Sequence, residues 1–154
     1  MSPEAGTQPY EGFIDLGMDT TEVHEPQPVP TGAYDLTITA AKGIFAEKED
    51  GSGQYLKKIQ CQIEINGHQN AATVFHNITL PTAEMDLKKK NFLVVLMKKF
   101  YKLFNVPMGA KGINTTDLVG ATAKGAQLNL VTYDKGDGST PRESNQIDLN
   151  GIKV

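Results

Sequence analysis

The chain has 154 residues and a formal net charge of −3, 39% of its residues are hydrophobic, and its mean hydropathy is −0.33. That is enough for one domain around a single core, and no apolar run approaches the roughly 20 residues of a membrane-spanning helix. The single cysteine, Cys61, excludes an internal disulfide, and the first residues lack the basic-then-apolar pattern of a secretory signal, so a cytoplasmic location and no membrane partner are expected.

Charge is unevenly distributed. From Met1 to Ala41 there is no lysine or arginine, while seven acids stand there: Glu4, Glu11, Asp15, Asp19, Glu22, Glu25 and Asp35. The remainder has 15 bases against 11 acids. The pattern is an acidic head on a mildly basic body. Residues 1–30 are proline-rich with little periodicity, which predicts an extended, partly disordered leader ahead of a domain over 31–154. Within the leader, Phe13, Ile14 and Leu16 are apolar enough to dock on the body.

Tyr34, Leu36, Ile38 and Ala40 alternate with polar residues and predict a first strand running to about Phe45. A loop, "AEKEDGSG", follows. In "GQYLKKIQCQIEI", Tyr55, Lys57, Ile59, Cys61, Ile63 and Ile65 fall on one face of a second strand. Leu56, Lys58, Gln60, Gln62 and Glu64 fall on the other. This register makes Cys61 a buried thiol. Asn66-Gly67 predicts a type I′ turn. A third strand puts Val74, His76 and Ile78 opposite Thr73, Phe75 and Asn77. Thr82 can cap a helix with Glu84 and Asp86 in its first turn. Met85, Phe92, Leu93, Leu96, Phe100, Leu103 and Phe104 form its apolar arc, and Pro107 ends it. The lysines Lys88, Lys98, Lys99 and Lys102 gather on the opposite arc, as in a solvated face. "TAKGAQLNLVTYD" predicts a fourth strand, "KGDGSTPRESN" a loop, and "QIDLNGIKV" a short fifth strand.

Three strands, a helix and two strands predict a mainly β fold, a five-stranded OB-fold-like barrel with one α-helix between strands three and four. Catalytic constellations are missing from the sequence. His24, His68 and His76 have no metal-ligand spacing, no phosphate-cradling glycine loop or nucleophile elbow occurs, and the acids are scattered, so neither an enzyme, a metal nor a cofactor is expected. Binding chemistry is better represented. Lys42, Phe45, Lys48, Tyr55, Lys57 and Lys58 stand near the first loop, Tyr133, Lys135 and Arg142 near the last, and Phe75 in mid-sheet. Aromatics stack on bases while cations follow phosphates, and in an OB-fold those two loops flank the binding face. Each residue also has a plainer role: Tyr55, Tyr133 and Phe75 as core or rim, and Lys57 and Lys58 as guards of a strand edge.

Short motifs carry a resemblance. Gly32 and Tyr34, then Gly53, Tyr55 and Leu56, then Asn77, Ile78 and Leu80, then Asp117, Leu118 and Gly120 resemble those of a phage family. It is catalogued as a domain of unknown function (number six-six-nine) and covers about Val29 to Leu149 here. The resemblance implies an OB-fold single-stranded DNA-binding protein acting in phage DNA replication or recombination, in the host cell cytoplasm. Its implied partners are single-stranded DNA, with RNA left open, and replication or recombination proteins, with self-association on the strand also open. The alternative is a phage structural or protein-interaction module that does not bind nucleic acid.

Overall fold

The computed structural model describes residues 12–154. Its elements are β1 (Gly32–Glu47), β2 (Gln54–Ile65), β3 (Val74–Thr79), α1 (Leu87–Leu103), β4 (Thr122–Tyr133) and β5 (Arg142–Ile147). The fold is mainly β, a five-stranded antiparallel sheet in the order β3-β2-β1-β4-β5 with one helix between β3 and β4. The sheet is open. Its edge strands β3 and β5 pass with Cα atoms within 8 Å of each other, but no strand ladder joins them.

One sheet face is apolar because every second residue is. Leu36, Ile38, Ile59, Cys61, Ile63, Val74, Ile78, Ala123, Ala126 and Leu128 are buried there. Helix α1 covers this face with Leu93, Met97, Phe100 and Tyr101. Its buried arc is thus turned toward Met97 and Tyr101, and it leaves Phe92 and Leu96, expected inside, 60% and 36% exposed. The helix begins later than expected. Asp86, not Thr82, is the cap, its carboxylate accepting the Lys89 N–H at 2.7 Å; Thr82 closes a turn with the Met85 N–H instead. Asn66 keeps a negative φ and only Gly67 (φ 78°) is left-handed, so the turn after β2 is not of type I′. The fifth strand starts and ends earlier than its sequence signal, at Arg142 and Ile147.

Two irregularities shape β1. Between Ile38 and Ala40 the register against β2 shifts by one residue. The Asp117-Leu118-Val119-Gly120 segment seats beside this point: Leu118 is fully buried, Gly120 (φ 90°) donates to the Ile38 carbonyl at 2.8 Å, and the Ile38 N–H donates to Ala121 at 2.9 Å. The second shift, between Ile44 and Phe45, leaves Lys57 as the extra residue of β2.

The leader joins the body earlier than expected. Gln27 forms a parallel bridge with Ala71, just ahead of β3. Val29 is buried, and its backbone is gripped by the Asn145 side chain: the Val29 N–H donates to Oδ1 at 2.8 Å, and Nδ2 donates to the Val29 carbonyl at 2.8 Å. Residues 27–29 therefore span the gap from the entry of β3 to β5. Ahead of them Ile14, Leu16 and Met18 are 60%, 67% and 64% exposed, so the expected burial of Ile14 and Leu16 against the body is not seen. Residues 1–11, the rest of the expected leader, lie outside the described residues.

Apart from the Tyr101 hydroxyl, Asn145 brings the buried side-chain polar group of the core among the described residues, and both its amide atoms are bonded. Asn145→Ala strips partners from a buried N–H and a buried carbonyl together and is expected to cost about 2–4 kcal/mol, because each orphaned group keeps its desolvation penalty. Urea unfolding of the variant measures this, and a loss within a few tenths of a kcal/mol would contradict it.

Candidate nucleic-acid interface

The face of β1–β3 turned away from the core is polar. Pairing defines three rows across these strands: Ile44–Lys58–Thr79, Lys42–Gln60–Asn77 and Ala40–Gln62–Phe75. Below them Thr37 pairs with Glu64, whose carboxylate accepts the Thr73 hydroxyl at 2.7 Å. Phe75, expected in mid-sheet, stands 52% exposed on the edge strand β3, beside these amides and lysines. A half-exposed phenyl ring on a sheet face outside the core adds less to hydrophobic packing than a buried one, and presents a flat apolar surface of the size of a base.

The other expected site residues separate into different settings. The extra residue at Lys57 reverses the alternation of β2 at its start, so Leu56 pairs with Phe45 and Tyr55 with Ala46. Leu56 and Phe45 then share the core side: a Cβ built on Gly43 would lie 2.9 Å from Leu56 Cδ1 and 3.5 Å from the Phe45 ring. Phe45, 60% exposed, thus lies across the sheet from Lys42 and Lys58. Tyr55 changes face and is half-buried, and Lys57 is exposed at the irregularity.

Tyr55 and Lys48 line a cleft of about 740 Å³ between the β1–β2 hairpin and Pro81–Glu84. Its walls carry Glu47, Glu49, Asp50 and Glu84 against Lys48. Hydrogen bonds from Ser52 hold Asp50 below the usual carboxylate range, so it remains ionised. Four carboxylates around one ammonium repel a phosphate backbone.

Tyr133 and Arg142 face each other across the β4–β5 pair, both exposed. Lys135 follows in a loop that also holds Asp134 and Asp137, the latter acidified by hydrogen bonds from Ser139. The β1–β2 hairpin leaves the far end of β1, whereas Tyr133 runs past the near end, where Gly32 pairs with Leu128. In the sheet register the two loops expected to converge stand at opposite ends of β1. The most basic element is α1, with six lysines, Lys88, Lys89, Lys90, Lys98, Lys99 and Lys102, and no acid; four of them were expected to form a solvated face.

A second cleft, of about 350 Å³, opens where β3 and β5 lie unpaired. Its floor is His76–Thr79, one wall is Leu93, Leu96 and Met97 of α1, and the other runs from Gln146 to Asn150, with Asn129 behind. Asp148 is ionised at one rim: hydrogen bonds from the Asn150 N–H and the Asn129 carboxamide lower its pKa. His76 stacks on Phe100, with ring centroids 4.3 Å apart and planes 4° from parallel. Burial pulls its pKa down to about 4, so it is a neutral packing group at neutral pH. Cys61 is fully buried and burial pushes its thiol up to about 11, as expected of an inert core cysteine. Among the described residues no group of three or more potential ligands could hold a metal ion.

The titration of His76 has a stability consequence. The unfolded chain takes up the proton near pH 6.5, the native state only near 4, so stability is intact above 6.5, falls as the pH drops through that window and levels off below it. The loss amounts to at most about 3 kcal/mol. His76→Phe keeps the ring stack without the proton and should flatten the unfolding free energy between pH 6.5 and 4. The acidified surface aspartates begin to act only near pH 5 and mostly below 3.8, so the slope between pH 6.5 and 5 belongs to His76. An unchanged slope in the variant would assign the pH dependence to other groups.

No protein-family model matches the chain, and no curated protein matches it.

Proposed function

We propose that the chain is a non-catalytic single-stranded DNA-binding module of the OB type, an accessory of phage DNA replication or recombination. The observation that carries this reading is Phe75, exposed on the edge strand β3 beside the Lys42–Gln60–Asn77 row. The ring supplies a stacking platform indifferent to base identity. Gln60, Gln62 and Asn77 offer both donors and acceptors to base edges, and Lys42 and Lys58 sit within one and two rows for the phosphates. The strand order supports the architecture. A sheet running β3-β2-β1-β4-β5, with its helix between β3 and β4, has the strand order expected of an OB barrel opened along the β3–β5 line. The resemblance of the short motifs to those of a phage family suggests the biological setting.

This reading moves the contact surface from the loops to the sheet. The acidic cleft at Tyr55 and the mixed charges around Lys135 make poor phosphate tracks. A protein-interaction module remains the second reading, favoured by the exposed Ile14, Leu16 and Met18 of the leader. A partner retained after nuclease treatment would support it.

Fluorescence anisotropy with labelled single-stranded and duplex oligonucleotides tests the first reading. Binding should prefer the single strand and weaken as salt rises. Phe75→Ala should cost about 1–3 kcal/mol of binding, leave the salt slope unchanged and lower the unfolding free energy by only about 1 kcal/mol, because the ring is half outside. Lys42→Ala and Lys58→Ala should each flatten the slope by about 0.7, the share of one phosphate contact on a single strand. Tyr55→Ala should bind as the parent does. Parent-like affinity in Phe75→Ala, or a preference for duplex, sinks the proposal.

A further inference from the structure

Helix α1 has two long sides with opposite duties. Leu93, Met97, Phe100 and Tyr101 are buried against the sheet. At 100° per residue, the side turned away from them carries Lys88, Phe92, Val95 and Lys99, at spacings of four, three and four residues. They form one outward stripe along most of the helix. Phe92 is 60% exposed on it, with Lys88 one turn before and Lys99 two turns after. Lys98 and Lys102 flank the stripe, and Lys102 donates to the Lys153 carbonyl, which brings another lysine to that end of the helix.

This charge is set against the helix's own stability. Lys88, Lys89 and Lys90 stand in the first turn, where the dipole disfavours cations, and Lys98 repels Lys102 one turn on. No acid on α1 offsets either cost. An external polyanion offsets both, and an exposed ring among the cations adds a platform for an unpaired base.

We propose that the outward face of α1 is a second contact surface for single-stranded nucleic acid, so that one copy of the chain bridges two strands, the first surface being the proposed sheet face, on which this inference rests. The lysines take the phosphates and Phe92 stacks on a base. The two surfaces point in opposite directions. Phe75 and Lys58 stand on the side of the sheet away from the core, and α1 covers the core side. One helix and one sheet separate them by on the order of 20 Å. At the hairpin end, the path from one surface to the other passes Glu47, Glu49, Asp50 and Glu84. These carboxylates turn a phosphate backbone away from that edge. A short strand seated on one surface therefore leaves the other open to a second strand.

The test counts strands per copy by native mass spectrometry of the full chain, with an excess of a thymidine strand of about eight nucleotides. The parent should appear as one copy with two strands. Lys88→Gln/Phe92→Ala/Lys99→Gln should hold one, and so should Lys88→Glu/Lys98→Glu, which alters exposed lysines only and disturbs no apolar contact. Phe75→Ala/Lys58→Ala should also hold one, on the helix. On beads carrying a biotinylated thymidine strand, the parent should retain a second, fluorescent strand. Both helix variants should bind the beads and lose the fluorescent strand. One strand per copy in the parent overturns the inference. If Phe75→Ala/Lys58→Ala abolishes that strand, the sheet reading stands alone; if the helix variants abolish it, the sheet reading falls too. No strand at all overturns both. Two strands per copy in both helix variants overturns the inference as well, because the second contact then lies elsewhere.

Discussion

The fold turns on the grip of one carboxamide on one peptide unit. The sheet has five strands and two edges, and the edges lie side by side without bonding to each other. Asn145 accepts the Val29 N–H and donates to the Val29 carbonyl, so a side chain of β5 performs what a neighbouring strand would. In doing so it fixes where the chain enters β1, keeps two backbone groups satisfied in an apolar setting, and ties the entry of β3 to β5 through Gln27. Without that tie the apolar face beneath α1 would be sealed along its strands but not along its gap.

Function on the proposed reading follows from the two sides of the same strands. The inward side of β2 holds Ile59, Cys61, Ile63 and Ile65, and is closed by Phe100, Phe104 and Tyr101. The outward side is left with amides, lysines and Phe75. Irregularities in β1 and β2 sort residues between these sides. Because Lys57 is an extra residue, Leu56 and Phe45 extend the inward apolar surface while Lys58 and Ile44 stay outward. The acidic hairpin tip beyond them bounds the basic rows at one end, and Glu64 bounds them at the other.

Much of this was legible in the sequence, for a definite reason. The alternation in β1, β2 and β3 is a direct imprint of burial on one face, and it located the buried Cys61 and the outward Phe75 correctly. The helix was evident from its 3.6-residue period, but its rotation was not: Phe92 and Leu96 are as apolar as Met97 and Tyr101, and only the position of the sheet selects among them. The helix start was misplaced because Thr82 and Asp86 are both good caps four residues apart. Tyr55 was assigned to the wrong face because a one-residue shift leaves no compositional mark. The Asn145–Val29 contact was beyond reach, since it joins residues 116 positions apart through a residue type that is usually exposed.

Cys61 has a use independent of any partner. It sits fully buried on β2, the strand between β1 and β3, and burial raises its thiol to about 11. A thiol reagent reaches it only when the sheet parts from the helix, so the rate of labelling at fixed pH counts how often the core opens. As the lone cysteine of the chain, it makes the protein its own gauge of core opening, readable by mass alone, with no residue replaced and no dye attached beforehand.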